Sequence, residues 1–354
     1  MCYFNSLINV TATGLLLLAC STKTDQHQSA KAKGEINASS ELSTKTDRYE
    51  GLSSDYFTSE LKVETRIEDT EVFTEGPAVD ANGIVYFTNI PVNKILKWDP
   101  SAKDLSVFTD KSNGTNGLRF TPDGDLLMCE GVSGKVTRLD IASGNKIILA
   151  ETFNGKGLQS PNDLDYDASG RIYFSSRANN PDLEKMNVKG LYSADTDGSI
   201  TQLLAEPDVH MPNGVVISPD EKKLYLIEAH PDSAMNRKIL AFDLNKGELS
   251  NRRTLIDFYP GRSGDGMCVD AEGNLYVAAG LHETRGTSET LDTKPGIHVI
   301  SPEGKLLAYV KTPEGTITNC TFGGEDLKTL YITCGTYLLS IRTKIAGKAS
   351  YKPN

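Results

Sequence analysis

The stretch SGDGMCVDAEGNLYVAAG, residues 263–280, decides the fold of this chain, because its central phrase recurs along the sequence. The phrase is a short polar turn, often with Gly, that runs into an apolar pair typical of a strand. Its instances are DANGIVYF, TPDGDLLM, DASGRIYF, SPDEKKLYL, DAEGNLYV and GGEDLKTLYI, aligned on the anchors Tyr86, Leu127, Tyr173, Tyr225, Tyr276 and Tyr331. The anchors are 41, 46, 52, 51 and 55 residues apart. Repeats of this length, each with alternating patterns for about four short strands, are typical of propeller blades.

We therefore predict an all-β fold, a six-bladed β-propeller over residues 61–345. Long helical patterns are absent from the repeats. An open pair of β-sandwiches is the alternative, but the repeats are too many and too even for it. Open sheet edges invite aggregation, so we expect LKVETRI, residues 61–67, to pair with the last blade and close the ring.

The N-terminus predicts export. Residues 1–20 end in TGLLLLAC, an apolar run too short to span a bilayer, which is typical of a signal peptide. Leu-Leu-Ala-Cys also resembles the bacterial lipoprotein signal, in which Cys20 would be acylated and anchor the protein in the cell envelope, on the periplasmic side or in the outer membrane. MCYFNS carries no Lys or Arg, which leaves a plain secretory signal as the alternative. Residues 21–60 are polar, and we predict a disordered linker.

The net charge of the chain limits the classes of partner that it can bind. The formal net charge of -10, without a cluster of Lys and Arg, argues against nucleic-acid binding. We expect a small-molecule partner, no protein partner, and membrane contact through Cys20 alone.

Four further cysteines lie in apolar strands and are expected to be buried thiols: Cys129, Cys268, Cys320 and Cys334. Cys320 and Cys334 nevertheless fall roughly opposite each other in a presumed hairpin of the last blade. In an oxidising compartment these two would be able to pair.

One oxygen-bearing side chain stands 11 or 12 residues before each anchor, where the first strand of each blade begins. We call these residues the channel ring: Glu75, Asn116, Asn162, Asn213, Asp265 and Asn319. Pseudo-sixfold symmetry predicts that they converge at one mouth of the channel. Turn chemistry is the alternative, because Asn and Asp before a strand often bond their own backbone; it explains Glu75 poorly.

Two carboxylates with several amide oxygens, and no thiolate or imidazole, form a site that suits Ca²⁺, Mg²⁺ or Mn²⁺. Two carboxylates balance the charge of a divalent ion. Such an ion with an open position can polarise a carbonyl and lower the pKa of bound water, which favours catalysis over a purely structural role.

The ordered motifs EGP, SPND, PNG, DGM and TNCTFGG, over residues 70–342, resemble those of the gluconolactonase, regucalcin and luciferin-regenerating-enzyme family. The resemblance implies a six-bladed propeller with one divalent cation, expected to be Ca²⁺, with Mg²⁺, Mn²⁺ or Zn²⁺ as alternatives. It also implies hydrolysis of a sugar lactone or related cyclic ester.

By motif, the resemblance implies Glu75, Asn213 and Asp265 as metal ligands, with Asn162 near both metal and substrate, and Asp265 as proton acceptor. Asn116 joins Asn162 as an expected substrate contact. Where the regucalcin branch carries an arginine, this chain has Ser160, and Arg177 either replaces that cation or is a solvated loop charge.

The expected function is metal-dependent hydrolysis of a sugar-acid lactone. Two alternatives remain open at this point. The first is a non-catalytic propeller that binds a glycan or protein through loops such as residues 281–296, with a structural cation. The second is an esterase or phosphotriesterase on the same scaffold.

Overall fold

A computed structural model describes residues 47–177, 186–187 and 189–348. The predicted signal peptide over residues 1–20, the anchor Cys20 and the linker up to residue 46 lie outside the described residues. Within the described ranges, no helix has the length and apolar character needed to cross a membrane.

The described residues form six four-stranded antiparallel sheets, which are the six blades predicted from the repeat. Strand β1 (Lys62–Arg66) precedes blade one, which contains β2 (Thr74–Val79), β3 (Val85–Asn89), β4 (Lys94–Asp99) and β5 (Asp104–Thr109). Blade two contains β6 (Thr115–Phe120), β7 (Leu126–Glu130), β8 (Lys135–Leu139) and β9 (Lys146–Ala150). A hairpin of β10 (Thr152–Phe153) and β11 (Lys156–Gly157) leads to blade three, with β12 (Pro161–Tyr166), β13 (Ile172–Ser176), β14 (Gly190–Ala194) and β15 (Ile200–Ala205).

The second half of the chain repeats this arrangement. Blade four contains β16 (Pro212–Ile217), β17 (Lys223–Ala229), β18 (Arg237–Asn245) and β19 (Glu248–Asp257). Blade five contains β20 (Gly264–Val269), β21 (Leu275–Ala279), β22 (Gly296–Ile300) and β23 (Leu306–Lys311). Blade six contains β24 (Ile317–Gly323), β25 (Thr329–Cys334) and β26 (Tyr337–Arg342).

Strand β1 supplies the fourth strand of blade six, and this confirms the predicted closure. The strand order of that sheet is β1-β26-β25-β24, with Lys62 opposite Ser340 and Val63 opposite Leu339. The ring is thus closed by antiparallel pairing between the two ends of the propeller, which leaves no gap between the first and last blades.

The first strands of the blades surround the channel. Each of β2, β6, β12, β16, β20 and β24 contacts the corresponding strand of both neighbouring blades. All residues of β2, β16, β20 and β24 are buried, while β6 and β12 each have two half-buried residues. Side chains that begin these strands are therefore brought to one end of the channel.

Each tyrosine anchor packs against the following blade. The ring centroid of Tyr86 lies 5.1 Å from that of Phe120, and the centroid of Tyr276 lies 5.0 Å from that of Phe322, both edge to face. A blade cannot bury both of its faces alone, so these contacts between sheets form the hydrophobic core. Blade two differs, because its anchor is Leu127.

The linker prediction for residues 21–60 is wrong for residues 47–60, which lie against blades five and six. The hydroxyl of Tyr49 is 2.9 Å from Nε2 of the buried His298 and accepts the backbone N–H of Lys294 at 2.9 Å. Phe57 forms a β-bridge with Thr343. Partial burial of the aromatic residues in this short segment offsets the entropy lost when the segment is ordered. The prediction failed because it used the overall polar composition of residues 21–60, in which these few aromatic residues have little weight.

The possible pairing of Cys320 with Cys334 is also wrong. Cys320 lies opposite Ile332 and Cys334 lies opposite Ile317, so the two cysteines are not cross-strand neighbours. The neighbour of Cys320 is instead Cys268 in blade five, with the two Sγ atoms 3.4 Å apart. Cys129, Cys268, Cys320 and Cys334 are all buried and free.

Candidate active site at one end of the channel

All six residues of the channel ring lie in the first strands of their blades, near the strand start. Five of them are the second residue of their strand and Asn319 is the third. Because these strands surround the channel, the six side chains start from the same end of it. The members are Glu75 in β2, Asn116 in β6, Asn162 in β12, Asn213 in β16, Asp265 in β20 and Asn319 in β24.

A register irregularity lies beside the ring position in every blade, and the sequence repeat did not predict it. In blade three, Pro161 pairs with Ser176 and Leu164 pairs with Phe174, so that two residues lie opposite Ser175 alone. The equivalent shifts occur in the other five first strands. A bulge bends a strand and changes the direction of its side chains, and bulges are common next to active sites.

The residue after the ring position is Gly in four blades, and close packing explains this. Gly76 has a φ of +45°, and a Cβ there would overlap the carbonyl oxygen of Asn116 in blade two. A Cβ on Gly117 would lie 2.8 Å from the carbonyl oxygen of Asn162 in blade three. The first strands thus approach each other too closely for side chains at most of these positions. Asp163 and Cys320 are the two exceptions.

Asp265 is buried at the centre of the polar contacts. Asn213 Nδ2 donates a hydrogen bond to Asp265 Oδ1, and Arg262 Nη2 donates to Oδ2. Arg177 Nη1 lies 3.7 Å from Oδ1, so two guanidinium groups flank one carboxylate. Arg262 was missed by the sequence reasoning; the available signal was a cationic residue three positions before the aspartate in GRSGD.

Glu75 is buried beside other acids. Its Oε2 accepts the backbone N–H of Gly76 at 3.1 Å. Burial, followed by repulsion from Asp265 and Asp163, raises the pKa of Glu75 well above its ordinary value, although the hydrogen bond from Gly76 and the charge of Arg177 act in the opposite direction. Glu75 therefore lies close enough to Asp265 and Asp163 to be repelled by them when the carboxyl groups are ionised.

Asp163 contacts a ring member from the far side of the channel. Asn319 Nδ2 in blade six donates to Asp163 Oδ2 in blade three at 3.2 Å. Burial raises the pKa of Asp163 to about 7, against the lowering effects of the Leu164 N–H, of Arg119 and of Asn319. Asp163 thus contacts the ring residue of blade six in addition to the backbone N–H of Leu164.

The structure also shows the contacts of two other polar residues near the strand ends. The 3.7 Å approach of Arg177 to Asp265 favours a role at the ring over a solvated loop charge. Glu130, the last residue of β7, is buried and accepts hydrogen bonds from Asn113, Thr137 and Lys146. Burial tends to raise the pKa of Glu130, but these bonds and that from Ser133 outweigh it and hold the pKa below its ordinary value. Glu130 thus links side chains from several strands of blade two through its hydrogen bonds.

Asn116 and Asn162 occupy ring positions two and three and are half-buried. The backbone carbonyl of Asn116 accepts the hydroxyl of Thr88 at 3.1 Å, which ties the start of β6 to blade one. Their half-exposed side chains differ from the fully buried Glu75, Asn213 and Asp265. The ring thus has a buried acidic side and a more accessible amide side.

The donor chemistry of the buried side fits a divalent cation. Glu75, Asn213 and Asp265 offer carboxylate and amide oxygens, which hard cations prefer, and a cation here would offset the repulsion that Asp265 and Asp163 exert on the buried Glu75. Among the described residues, no three His, Cys, Asp or Glu side chains form a metal-binding group by themselves. An ion at the ring would therefore depend on asparagine oxygens as well.

The fold and the ring define a class of protein, a six-bladed propeller with an acidic, oxygen-rich site at one end of its channel. The family model described as SMP-30/Gluconolactonase/LRE-like region matches residues 73–336. The chain belongs to this family.

Relatives and solved structures agree with this. The chain is 29% identical over 304 residues to a gluconolactonase of Zymomonas mobilis, covering 78% of this chain and 80% of the relative. A gluconolactonase structure from Xanthomonas campestris has a TM-score of 0.67 at 28% identity, covering 82% of this chain and 91% of that one. A calcium-binding regucalcin from Agrobacterium tumefaciens shares the fold, with a TM-score of 0.64 at 19% identity, over 83% of this chain and 96% of that chain. The gluconolactonase relatives support a lactonase hydrolase.

Proposed function

We propose that this protein is a metal-dependent lactonase that hydrolyses a sugar-acid lactone such as gluconolactone. The observation that carries the proposal is the contact of Asn213 and Arg177 with Asp265, beside the buried Glu75. These four residues come from four different blades, and a turn-forming role for each of them gives no reason for their convergence. Membership of the family adds the reaction class.

The proposed ligands of one divalent cation, in first place Ca²⁺, are Glu75, Asn162, Asn213 and Asp265. When bound, such an ion polarises a lactone carbonyl and lowers the pKa of a water molecule. The calcium-binding regucalcin with the same fold supports the choice of ion.

Asp265 is assigned the proton transfer. In the reaction, water adds to the lactone carbonyl carbon, the bond from that carbon to the ring oxygen breaks, and a hydroxy acid results. Asp265 would take the proton of the attacking water and return it to the leaving ring oxygen. Oδ2 accepts from the buried Arg262, whereas Oδ1 accepts from Asn213 and lies 3.7 Å from the more exposed Arg177, so we assign the transfer to Oδ1.

The substrate contacts are assigned to Asn116, Asn162 and Arg177. Amide N–H groups of the two asparagines would donate to the lactone hydroxyls and to the oxygen that gains negative charge in the transition state. Arg177 would orient the substrate beside Asp265. Export and a lipid anchor at Cys20, on the periplasmic side or in the outer membrane, remain part of the proposal and rest on residues 1–20 alone.

The purified domain, assayed on a panel of aldonolactones with and without chelator, tests the function. We expect turnover that chelation abolishes and Ca²⁺ restores. Asp265→Asn keeps an oxygen ligand but removes the proton acceptor, so it should retain the stabilisation by metal and lose turnover by at least about 100-fold. Asp257→Asn, on the outer strand β19, is the matched control.

Three results would be evidence against it. Full activity after complete metal removal would exclude the metal dependence. Turnover of simple esters or phosphotriesters but of no lactone would favour the other hydrolases. Absence of turnover in both wild type and Asp265→Asn, with retained binding of a glycan or protein, would favour a binding propeller.

A further inference from the structure

We propose that a cavity between blades two and three binds a small phenolic compound, at a site separate from the channel ring. The cavity has a volume of about 530 Å³, within the range of about 300–1,000 Å³ for small-molecule sites. Its apolar lining comes from both blades: Leu127, Ile147, Leu149, Tyr166, Ile172 and Ala194.

The preceding interface, between blades one and two, shows how aromatic rings fill this place where they are present. The anchor Tyr86 contacts Phe108 on the outer strand of its own blade and Phe120 on the first strand of the next blade. The ring centroids are 5.2 and 5.1 Å apart, and both pairs are edge to face. Three aromatic rings therefore close that interface.

The equivalent residues between blades two and three are Leu127, Leu149 and Tyr166. The strand registers establish the correspondence, since Leu127 pairs with Arg138 in blade two as Tyr86 pairs with Lys97 in blade one. Two aromatic rings are thus replaced by leucine, and all three residues line the cavity. Five of the six anchors are tyrosine. Both replacements remove side-chain volume beside the cavity, and apolar cavities bind small aromatic molecules.

The polar groups of the cavity favour a neutral phenol over an anion. Asp123, Asp167 and Asp195 line it together with Arg138, and Arg138 already pairs with Asp123 and Asp125. Carboxylate oxygens accept the hydroxyl of a phenol, whereas they repel a carboxylate ligand.

The cavity is accessible and distant from the ring. Ile147 lines it and is 47% exposed, so an apolar ligand would cover surface that now faces water. The cavity is lined by the turns at residues 121–123 and 167–170, which follow the ends of β6 and β12, whereas Asn116 and Asn162 lie at their starts. A strand of this length separates the two places by about 15 Å.

Binding of p-cresol, the side-chain analogue of tyrosine, tests the proposal. Saturation-transfer NMR and titration calorimetry on the whole chain, with chelator present, should detect saturable binding to wild type. Leu127→Tyr supplies the ring that the other five anchors carry and should weaken binding by at least about tenfold while raising the Tm. Leu149→Phe is an independent filling variant with the same expected result.

Ile148→Tyr is the matched control. Ile148 lies beside Leu149 on β9 and is 50% exposed, but it does not line the cavity. It should bind p-cresol as wild type does. No saturable binding to wild type, or equal affinity in wild type, Leu127→Tyr and Leu149→Phe, would overturn the proposal. These readouts do not involve lactone turnover, so the outcome is independent of the proposed lactonase.

Discussion

Asn319 Nδ2 donates a hydrogen bond to Asp163 Oδ2 at 3.2 Å across the channel. The two residues belong to blades six and three, which face each other in a ring of six. Their contact is possible because the position of Asp163 is Gly in four other blades, so no side chain competes for the channel axis. The hydrogen bond thus links opposite walls of the propeller near Glu75 of the candidate site.

Asp163 should make the metal-free protein less stable at high pH. Burial raises the pKa of Asp163 in the folded state to about 7 from its ordinary value of 3.8. The folded state therefore binds this proton more tightly than the unfolded chain does, and the resulting stability, complete at low pH, is lost as the pH rises from about 4 to about 7. With chelator present, the Tm of wild type should fall across this range.

Asp163→Asn removes the titrating group and should reduce that fall by about 3–4 kcal/mol of unfolding free energy. Asp110→Asn, at an exposed position, should behave as wild type. Thermal unfolding at several pH values measures all three proteins. An unchanged pH dependence in Asp163→Asn would show that the Asp163 carboxyl does not titrate differently on folding.

Glu75 and Asp265 should contribute more to metal affinity than Asn213. Each carboxylate supplies half of the charge that balances a divalent ion, whereas water can partly replace a neutral amide oxygen. Glu75→Ala also removes a buried acid with a raised pKa, so the metal-free variant should be as stable as wild type or more stable.

Calorimetry of wild type, Glu75→Ala, Asn213→Ala and Asp265→Ala, each with and without Ca²⁺, measures this difference. The rise in Tm on adding Ca²⁺ should shrink most in the two carboxylate variants. Glu71→Ala, at an exposed position just before β2, serves as the control. Equal stabilisation by Ca²⁺ in every variant would refute a shared site.

Arg177 and Arg262 should affect different kinetic constants. Arg262 is buried and bonds Asp265 Oδ2, so Arg262→Gln should lower kcat by about 10- to 100-fold through misplacement of the proton acceptor. Arg177 is more exposed and approaches the same carboxylate from the channel, so Arg177→Gln should mainly raise KM, by about tenfold. Arg252→Gln, on the exposed β19, is the control, and the reverse division of effects would contradict these roles.

Oxidation should link Cys268 to Cys320. Their Sγ atoms are 3.4 Å apart, and two thiols lose two protons and two electrons to an oxidant such as diamide when they form a disulfide. Burial raises the pKa of Cys268 well above its ordinary value, so the reaction should be slow in the folded protein. Peptide mass spectrometry should find this link in wild type and in Cys334→Ser but not in Cys320→Ser; a link between Cys320 and Cys334 would contradict the observed register.

Tyr49→Phe should destabilise the protein by about 1–2 kcal/mol. The change removes the acceptor of the Lys294 N–H and the partner of His298 Nε2, while it keeps the aromatic ring. Tyr259→Phe, at a half-exposed position, is the matched control. Equal Tm values for the two variants would show that the Tyr49 hydroxyl adds nothing to the attachment of residues 47–60.

Much of the fold was determined by the sequence alone. Each repeat can bury its two faces only against neighbours, so the recurrence of one phrase six times implies a ring, and the apolar pattern of residues 61–67 implies the strand that closes it. The position of Glu75, Asn116, Asn162, Asn213, Asp265 and Asn319 at equivalent points of the blades followed from the same symmetry. The sequence also indicated the family.

Tertiary structure decided what repeat symmetry cannot specify. Arg177 reaches Asp265 from blade three, and Asp163 meets Asn319 across 156 positions of sequence. The cavity beside Leu127 likewise depends on which rings its neighbours in three strands supply. Contacts of this kind depend on side-chain direction and on distances between separate blades, and neither quantity is contained in the local pattern of residues.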